Sequence, residues 1–171
     1  MNSHSLTAER ASTLLTYDPD SGEMKWKVQR GNAYPPGTRC GSICRTGHGY
    51  MCLVVKVDGK TYKLARLAWL INYGKWPVGQ IDHIDLNPLN NAISNLRECT
   101  ASQNCANRRY RSGATSGFKG VTYRKRERRW CAQVRSGGKL MYWKLFTTKE
   151  EAAEAYIKAS SEIHGQFARA A

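Results

Sequence analysis

The chain has 171 residues, 41% of them hydrophobic and 10% aromatic, enough for one ordinary domain or two small ones and too apolar for wholesale disorder. Its 27 Lys and Arg against 13 Asp and Glu leave a net charge of +14. That surplus suits a polyanion, because Lys and Arg gain affinity by releasing the counterions condensed on a phosphate backbone.

No apolar run approaches the ~20 residues of a spanning helix, so a membrane partner is not expected. The start, "MNSHSLTAERAS", lacks the basic and apolar regions of a signal peptide. The chain is therefore expected in the cytosol of the cell that makes it, not secreted.

In chain order, "LTAERASTLL" (6–15) puts Leu6, Ala11, Leu14 and Leu15 near one helical face. "DPDSGEMKWKV" reads as a turn and then a strand. "GYMCLVVKVDGKTYKL" reads as a hairpin about Asp58-Gly59, a dipeptide that type I′ turns favour. "LARLAWLINYG" spaces Leu64, Leu67, Ala68 and Ile71 as a helix that Gly74 stops. Six cysteines show no second close pair to match Cys40 and Cys44, so reduced thiols are expected and no structural zinc.

"QIDHIDLNPLNNAISNLRECTASQN" (80–104) carries the chemistry. Asp82 and His83 end a short strand, and an Asn- and Pro-rich loop follows over 85–94. A second strand then leads to a capping box, Thr100 to Gln103, which opens a helix bearing Asn104. The plan brings the start of the loop against the helix face that carries Asn104. A carboxylate and an amide oxygen are hard ligands, so Asp82 and Asn104 suit Mg²⁺ or Mn²⁺, with water and phosphate oxygens completing the shell. His83 points the other way along the strand, and its ordinary pKa makes it the natural base to activate water. Asn side chains can satisfy the backbone groups of an irregular loop, and Asn95 is placed to lock the loop under His83.

These residues resemble the HNH endonuclease motif of phage and intron-associated nucleases. The resemblance implies His83 as general base, Asp82 and Asn104 as metal ligands, and Asn95 as orienter of the loop, with Asn91 an alternative for that middle position. Arg66, on the helix before the motif, is read as a phosphate or a structural contact.

"RRYRSGATSG" (108–117) reads as a small, polar, basic linker. Beyond it, "KGVTYRK", "RWCAQVR" and "LMYWKLF" are strand-like, and "TTKEEAAEAYIKASSEIHG" is a helix capped by Thr147 or Thr148. Between 106 and 146 there are twelve Lys and Arg against one acid, Glu127, a surplus of eleven. These charges alternate with Val121, Tyr123, Trp130, Ala132, Val134, Tyr142 and Phe146. One face of the sheet would thus pack on the helix and the other would be cationic. This block resembles the AP2 DNA-binding domain, through Gly120-Val121, Trp130, Ala132, Phe146, Ala152, Ala153, Ala155 and Tyr156. The resemblance implies DNA contacts at Lys119, Thr122, Arg124, Arg126, Gln133, Arg135 and Tyr142, with Lys144 at a position usually Gly. Arg108 and Arg109 join this set as linker cations.

The expected fold is α+β: a ββα-metal nuclease core behind a β-rich N-terminal region, then a three-stranded antiparallel sheet with a helix. The expected domains are 1–108 (β-rich region 1–65, catalytic core about 78–108), a linker at 109–116, and 117–171. The expected activity is metal-dependent hydrolysis of DNA phosphodiester bonds. Double-stranded DNA is the expected partner, the chain is read as a monomer, and a phage-type protein would act in the host cytoplasm. Nicking and double-strand cleavage both suit such an enzyme, as do homing, packaging and attack on host DNA. The other reading is a non-catalytic DNA-binding regulator with a vestigial nuclease module.

Overall fold

The computed structural model describes residues 6–45, 50–108 and 115–169. The chain divides into two compact units, Met1–Glu98 and Cys99–Ala171. The fold is α+β, built from short helices and several small sheets.

The first unit opens with α1 (Ala8–Leu14), capped by the Thr7 hydroxyl, which accepts from Arg10 N. Leu6, Ala11, Leu14 and Leu15 are all buried, as their spacing predicts. The helix stops one residue early, because Leu15 begins β1 (Leu15–Tyr17), which pairs antiparallel with β2 (Met24–Trp26). A second sheet has the order β3-β4-β5 (Ser42–Arg45, Met51–Val57, Lys60–Lys63). Its β4–β5 turn holds Asp58 at φ 46° and Gly59 at φ 80°, the pair of positive φ values that a type I′ turn requires. Helix α2 (Leu64–Tyr73) buries Leu64, Leu67, Ala68 and Leu70 against Val55, Val57, Met24 and Trp26. Arg66 donates to the carbonyls of Gly79 (2.9 Å) and Pro77 (3.2 Å), which makes it a structural clamp on the connector. The connector leads to β6 (Gln80–His83), which pairs with β7 (Leu96–Cys99) after a 3₁₀ turn at Ile93–Asn95.

The second unit holds α3 (Ala101–Asn107), a sheet of order β10-β9-β8, and α4 (Lys149–His164). The strands are β8 (Val121–Arg124), β9 (Arg129–Ser136) and β10 (Lys139–Phe146). The predicted capping box forms at Thr100 with Gln103, and of the two candidates for the cap of α4 it is Thr148, boxed with Glu151, that caps it. The core joins Val121, Ala132 and Val134 of the sheet to Ala152, Ala153, Tyr156 and Ala159 of α4. Gly120 allows this approach: a Cβ there would lie 2.1 Å from the Tyr156 ring. Lys119 ties α3 to this unit, since its ammonium donates to the carbonyls of Ala106 and of Arg108 (2.9 Å).

Candidate functional site

Asp82 and His83 are both buried at the end of β6. His83 Nε2 lies 3.2 Å from Asn91 Oδ1, and Asn91 Nδ2 donates to Leu89 O at 3.4 Å. That second bond turns the amide so that its oxygen faces the imidazole. An amide oxygen only accepts, so the contact calls for a proton on Nε2.

Asn95 does a different job. Its Oδ1 accepts from Asp85 N at 3.0 Å, while Nδ2 donates to Asp85 Oδ1 and to Asn90 O, each at 2.9 Å. Its own carbonyl accepts from Ile84 N at 2.9 Å. One buried side chain thus joins both ends of the 84–95 loop immediately after His83. The two candidates for the middle position are both used, Asn91 on the imidazole and Asn95 on the loop.

Asp85 carries the same network outward, accepting from Asn87 N (2.7 Å) and Asn90 Nδ2 (2.8 Å). Burial pushes its carboxyl up, but the hydrogen bonds from Asn87, Asn90 and Asn95 outweigh that and leave it below the usual carboxylate range. Leu86, at φ 64°, closes a tight turn by donating its N–H to His83 O at 3.0 Å.

The loop rests on the N-terminal turn between β1 and β2. Tyr17 donates its hydroxyl to Asn91 O at 2.8 Å, and Ile93 N donates to Pro19 O at 2.8 Å. Gly22, at φ 73°, presses so closely that a Cβ would lie 2.3 Å from Ala92 N and Asn91 C. The turn, the loop and the imidazole are therefore one packed stack.

Asp82 meets Arg97 of β7, whose Nε donates to Oδ2 at 2.9 Å and whose second nitrogen lies 2.9 Å from the same oxygen. Both side chains are largely buried, at 13% and 5% exposure, so each holds the other's charge out of water. Arg97 escaped sequence reasoning because nothing in "SNLRECT" marks it apart from a surface cation.

Asn104 sits half-buried on α3, in the second unit, with its N–H donating to Thr100 O at 3.0 Å. As donors, Asp82 and Asn104 offer a carboxylate and an amide oxygen. Among the described residues no three His, Cys, Asp or Glu gather to hold a metal. The Asp82 carboxylate is a donor that suits a hard ion keeping water and substrate oxygens.

The register of the C-terminal sheet sorts the predicted DNA contacts. Val121 opposes Ala132, and Tyr142 opposes Val134, on the face that α4 covers. Thr122, Arg124, Gln133 and Arg135 have the opposite parity and face away from the helix. Tyr142 instead packs on the core, because a bulge between Leu140 and Tyr142 shifts the alternation by one residue. Trp143, which opposes Gln133 and is 49% exposed, takes the outer place. Lys144 has the inner parity, and its exposed chain puts the ammonium 5.7 Å from the Phe146 ring.

Arg126 is exposed in the 125–128 turn, and Arg108 is exposed after α3. Arg109, with most of the linker, lies outside the described residues. Lys119 spends its ammonium on carbonyls, including that of Arg169 at 3.4 Å, and burial and the Arg169 charge lower its pKa.

A family profile described as HNH endonuclease matches residues 62–106, and one described as AP2 domain matches residues 116–166. The chain is 38% identical over 102 residues to Protein 3.8 of Escherichia phage T7, across 59% of this chain and 84% of that protein. It is 39% identical over 100 residues to an uncharacterized HNH endonuclease of Acanthamoeba polyphaga mimivirus. That match covers 58% of this chain and about half (51%) of the relative. No solved structure matches it significantly. No helix among the described residues is long and apolar enough to cross a membrane.

Proposed function

Since the chain belongs to the HNH endonuclease family and also carries an AP2 domain, we propose that it is a DNA endonuclease hydrolysing phosphodiester bonds at His83. The observation that carries this reading is the seating of His83: a buried imidazole on the Asn91 amide, above a loop that Asn95 pins at both ends.

In this reading Nδ1 of His83 takes a proton from the attacking water, while Asn91 holds Nε2–H and stabilises the ring as it becomes charged. Asp82 would hold Mg²⁺ or Mn²⁺, and the spacing of the motif names Asn104 as the second ligand. A bound ion would supply charge stabilisation to the phosphate and the departing oxygen. Arg97 fixes the direction of the Asp82 carboxylate. The outer face of the C-terminal sheet, with Arg124, Arg135 and Trp143, holds double-stranded DNA, mostly through phosphates. The protein acts as a monomer in the cytoplasm of an infected host.

The test is cleavage of supercoiled plasmid with Mg²⁺ or Mn²⁺, run beside His83→Ala and with DNA binding measured in parallel. Nicking or linearisation by the natural chain, lost in His83→Ala while binding persists, is the expected result. Undiminished cleavage by His83→Ala removes His83 from the base role. Binding without cleavage of the source genome's own DNA favours a regulator instead.

A further inference from the structure

The first unit carries a second basic surface that the nuclease site does not use. Between residues 23 and 63 there are eight Lys and Arg and two acids, Glu23 and Asp58. Asp58 is held by Arg10 from outside this stretch, in two bonds of 3.0 and 3.2 Å, and Glu23 takes Lys25 at 3.1 Å and Arg39 at 3.7 Å, which leaves Arg30 and Lys56 for a ligand. Some of this charge lines a groove of about 690 Å³, within the range of small-ligand sites.

The floor of the groove is the outer face of the β3-β4-β5 sheet. Val55 and Val57 point into the core, so Lys56 and Thr61, paired across β4 and β5, point out of it. The wall is the hairpin beyond β2, where Arg30 N donates to Tyr34 O at 2.9 Å and sets the two side chains near one another. The Arg30 guanidinium lies 4.6 Å from the Trp26 ring centroid, which fixes its direction. Tyr34 is 51% exposed, an aromatic ring at the edge of a cationic groove.

Cations that follow a backbone, beside an aromatic ring open to a base, form the combination that binds single nucleic-acid strands. A duplex backbone would use the cations but not the ring. We propose that this groove is a second DNA site, which takes one unpaired strand with phosphates on Arg30 and Lys56 and a base stacked on Tyr34. The inference rests on DNA being the substrate, and it gives the N-terminal region a role in holding a strand separated from its partner.

The experiment is fluorescence anisotropy of the full chain with a labelled single-stranded oligodeoxynucleotide across a salt series, in EDTA so that cleavage plays no role. Tyr34→Ala should weaken binding about tenfold and leave the salt slope unchanged, as expected for a lost stacking contact. Lys56→Gln should lower the slope by ~0.7, as expected for one phosphate contact on a single strand. Both residues are exposed, and matching melting curves confirm that the variants fold. Natural affinity and slope in both variants, while the parent binds, would overturn the groove and leave the nuclease reading standing. Failure of the parent to bind any DNA would overturn both. Tighter binding of the same sequence as RNA would overturn the assignment to DNA.

Discussion

Asn95→Ala and Asn91→Ala should separate holding the loop from orienting the base. Asn95→Ala deletes three side-chain hydrogen bonds, to Asp85 N, Asp85 Oδ1 and Asn90 O. At about 1 kcal/mol each, the loss is about 3 kcal/mol, a large share of a small unit's stability. It falls on one loop, so amide exchange reads it best. Exchange at Asp85 and Ile84 should accelerate about a hundredfold, because ~1.4 kcal/mol is a factor of ten. Cleavage should fall with it. Asn91→Ala removes the contact to His83 Nε2 and the bond to Leu89 O, and leaves the Asn95 bonds in place. Its cleavage rate should drop by up to about a hundredfold, the cost of a misaimed base, while protection at Asp85 stays within a few-fold of the parent. Unchanged exchange in Asn95→Ala would refute the loop argument. Full cleavage by Asn91→Ala would show that the amide does not set the imidazole.

Three further outcomes follow from the same stack. Gly22→Ala places a methyl 2.3 Å from the Asn91–Ala92 peptide at φ 73°, so it should shift the loop and lower cleavage at least tenfold, read in the plasmid assay with melting as control. Arg97→Met leaves the Asp82 carboxylate buried without its cation and should cost about 3–5 kcal/mol by urea denaturation; a smaller loss than Asn95→Ala would mean that Asp82 has other support. Burial, with the nearby Asp18 charge, pushes the Tyr17 hydroxyl up to about 12. The unfolded chain therefore loses this proton first, and stability should fall as pH rises from about 10 towards 12, less steeply in Tyr17→Phe.

Local chemistry was legible in the sequence, and long-range geometry was not. The capping box at Thr100 and the Asp58-Gly59 turn formed as read, and the cap of α4 fell on Thr148, one of its two candidates, because each is decided within a few residues. Asp82-His83 at the end of a strand followed from the same local grammar. Arg97 meets Asp82 across fifteen residues, and Tyr17 reaches Asn91 across seventy-four, distances over which composition carries no direction. The C-terminal sheet shows how one residue matters. "LMYWKLF" is apolar at most positions, so its alternation could be read in either phase. The bulge at Leu140–Tyr142 decided the phase, sending Tyr142 to the core and Trp143 outward. Lys119 looked like one more cation in a basic block, yet the carbonyls at the end of α3 claim it.

The matched nuclease segment, 62–106, does not make its own site, and this sets a last prediction. Its helix α2 buries Leu64, Leu67, Ala68 and Leu70 against Leu6, Ala11, Leu14, Leu15, Met24, Trp26, Val55 and Val57, all upstream of the segment. Burying one large apolar side chain contributes roughly 1.5–3 kcal/mol. Losing the seven large partners among these, roughly 10–21 kcal/mol, matches or exceeds the whole stability of a small domain, about 5–15 kcal/mol. The loop beneath His83 also loses Tyr17, Pro19 and Gly22. A chain beginning at residue 62 should therefore lack a cooperative transition for this unit, and should not cleave. The second unit has its own core on α4, so the same truncated chain should keep its cooperative melting and its duplex binding. Cleavage by the truncated chain would show that the motif is self-sufficient and that the N-terminal stack is incidental to His83. Loss of the second unit's transition as well would show that the two cores depend on one another.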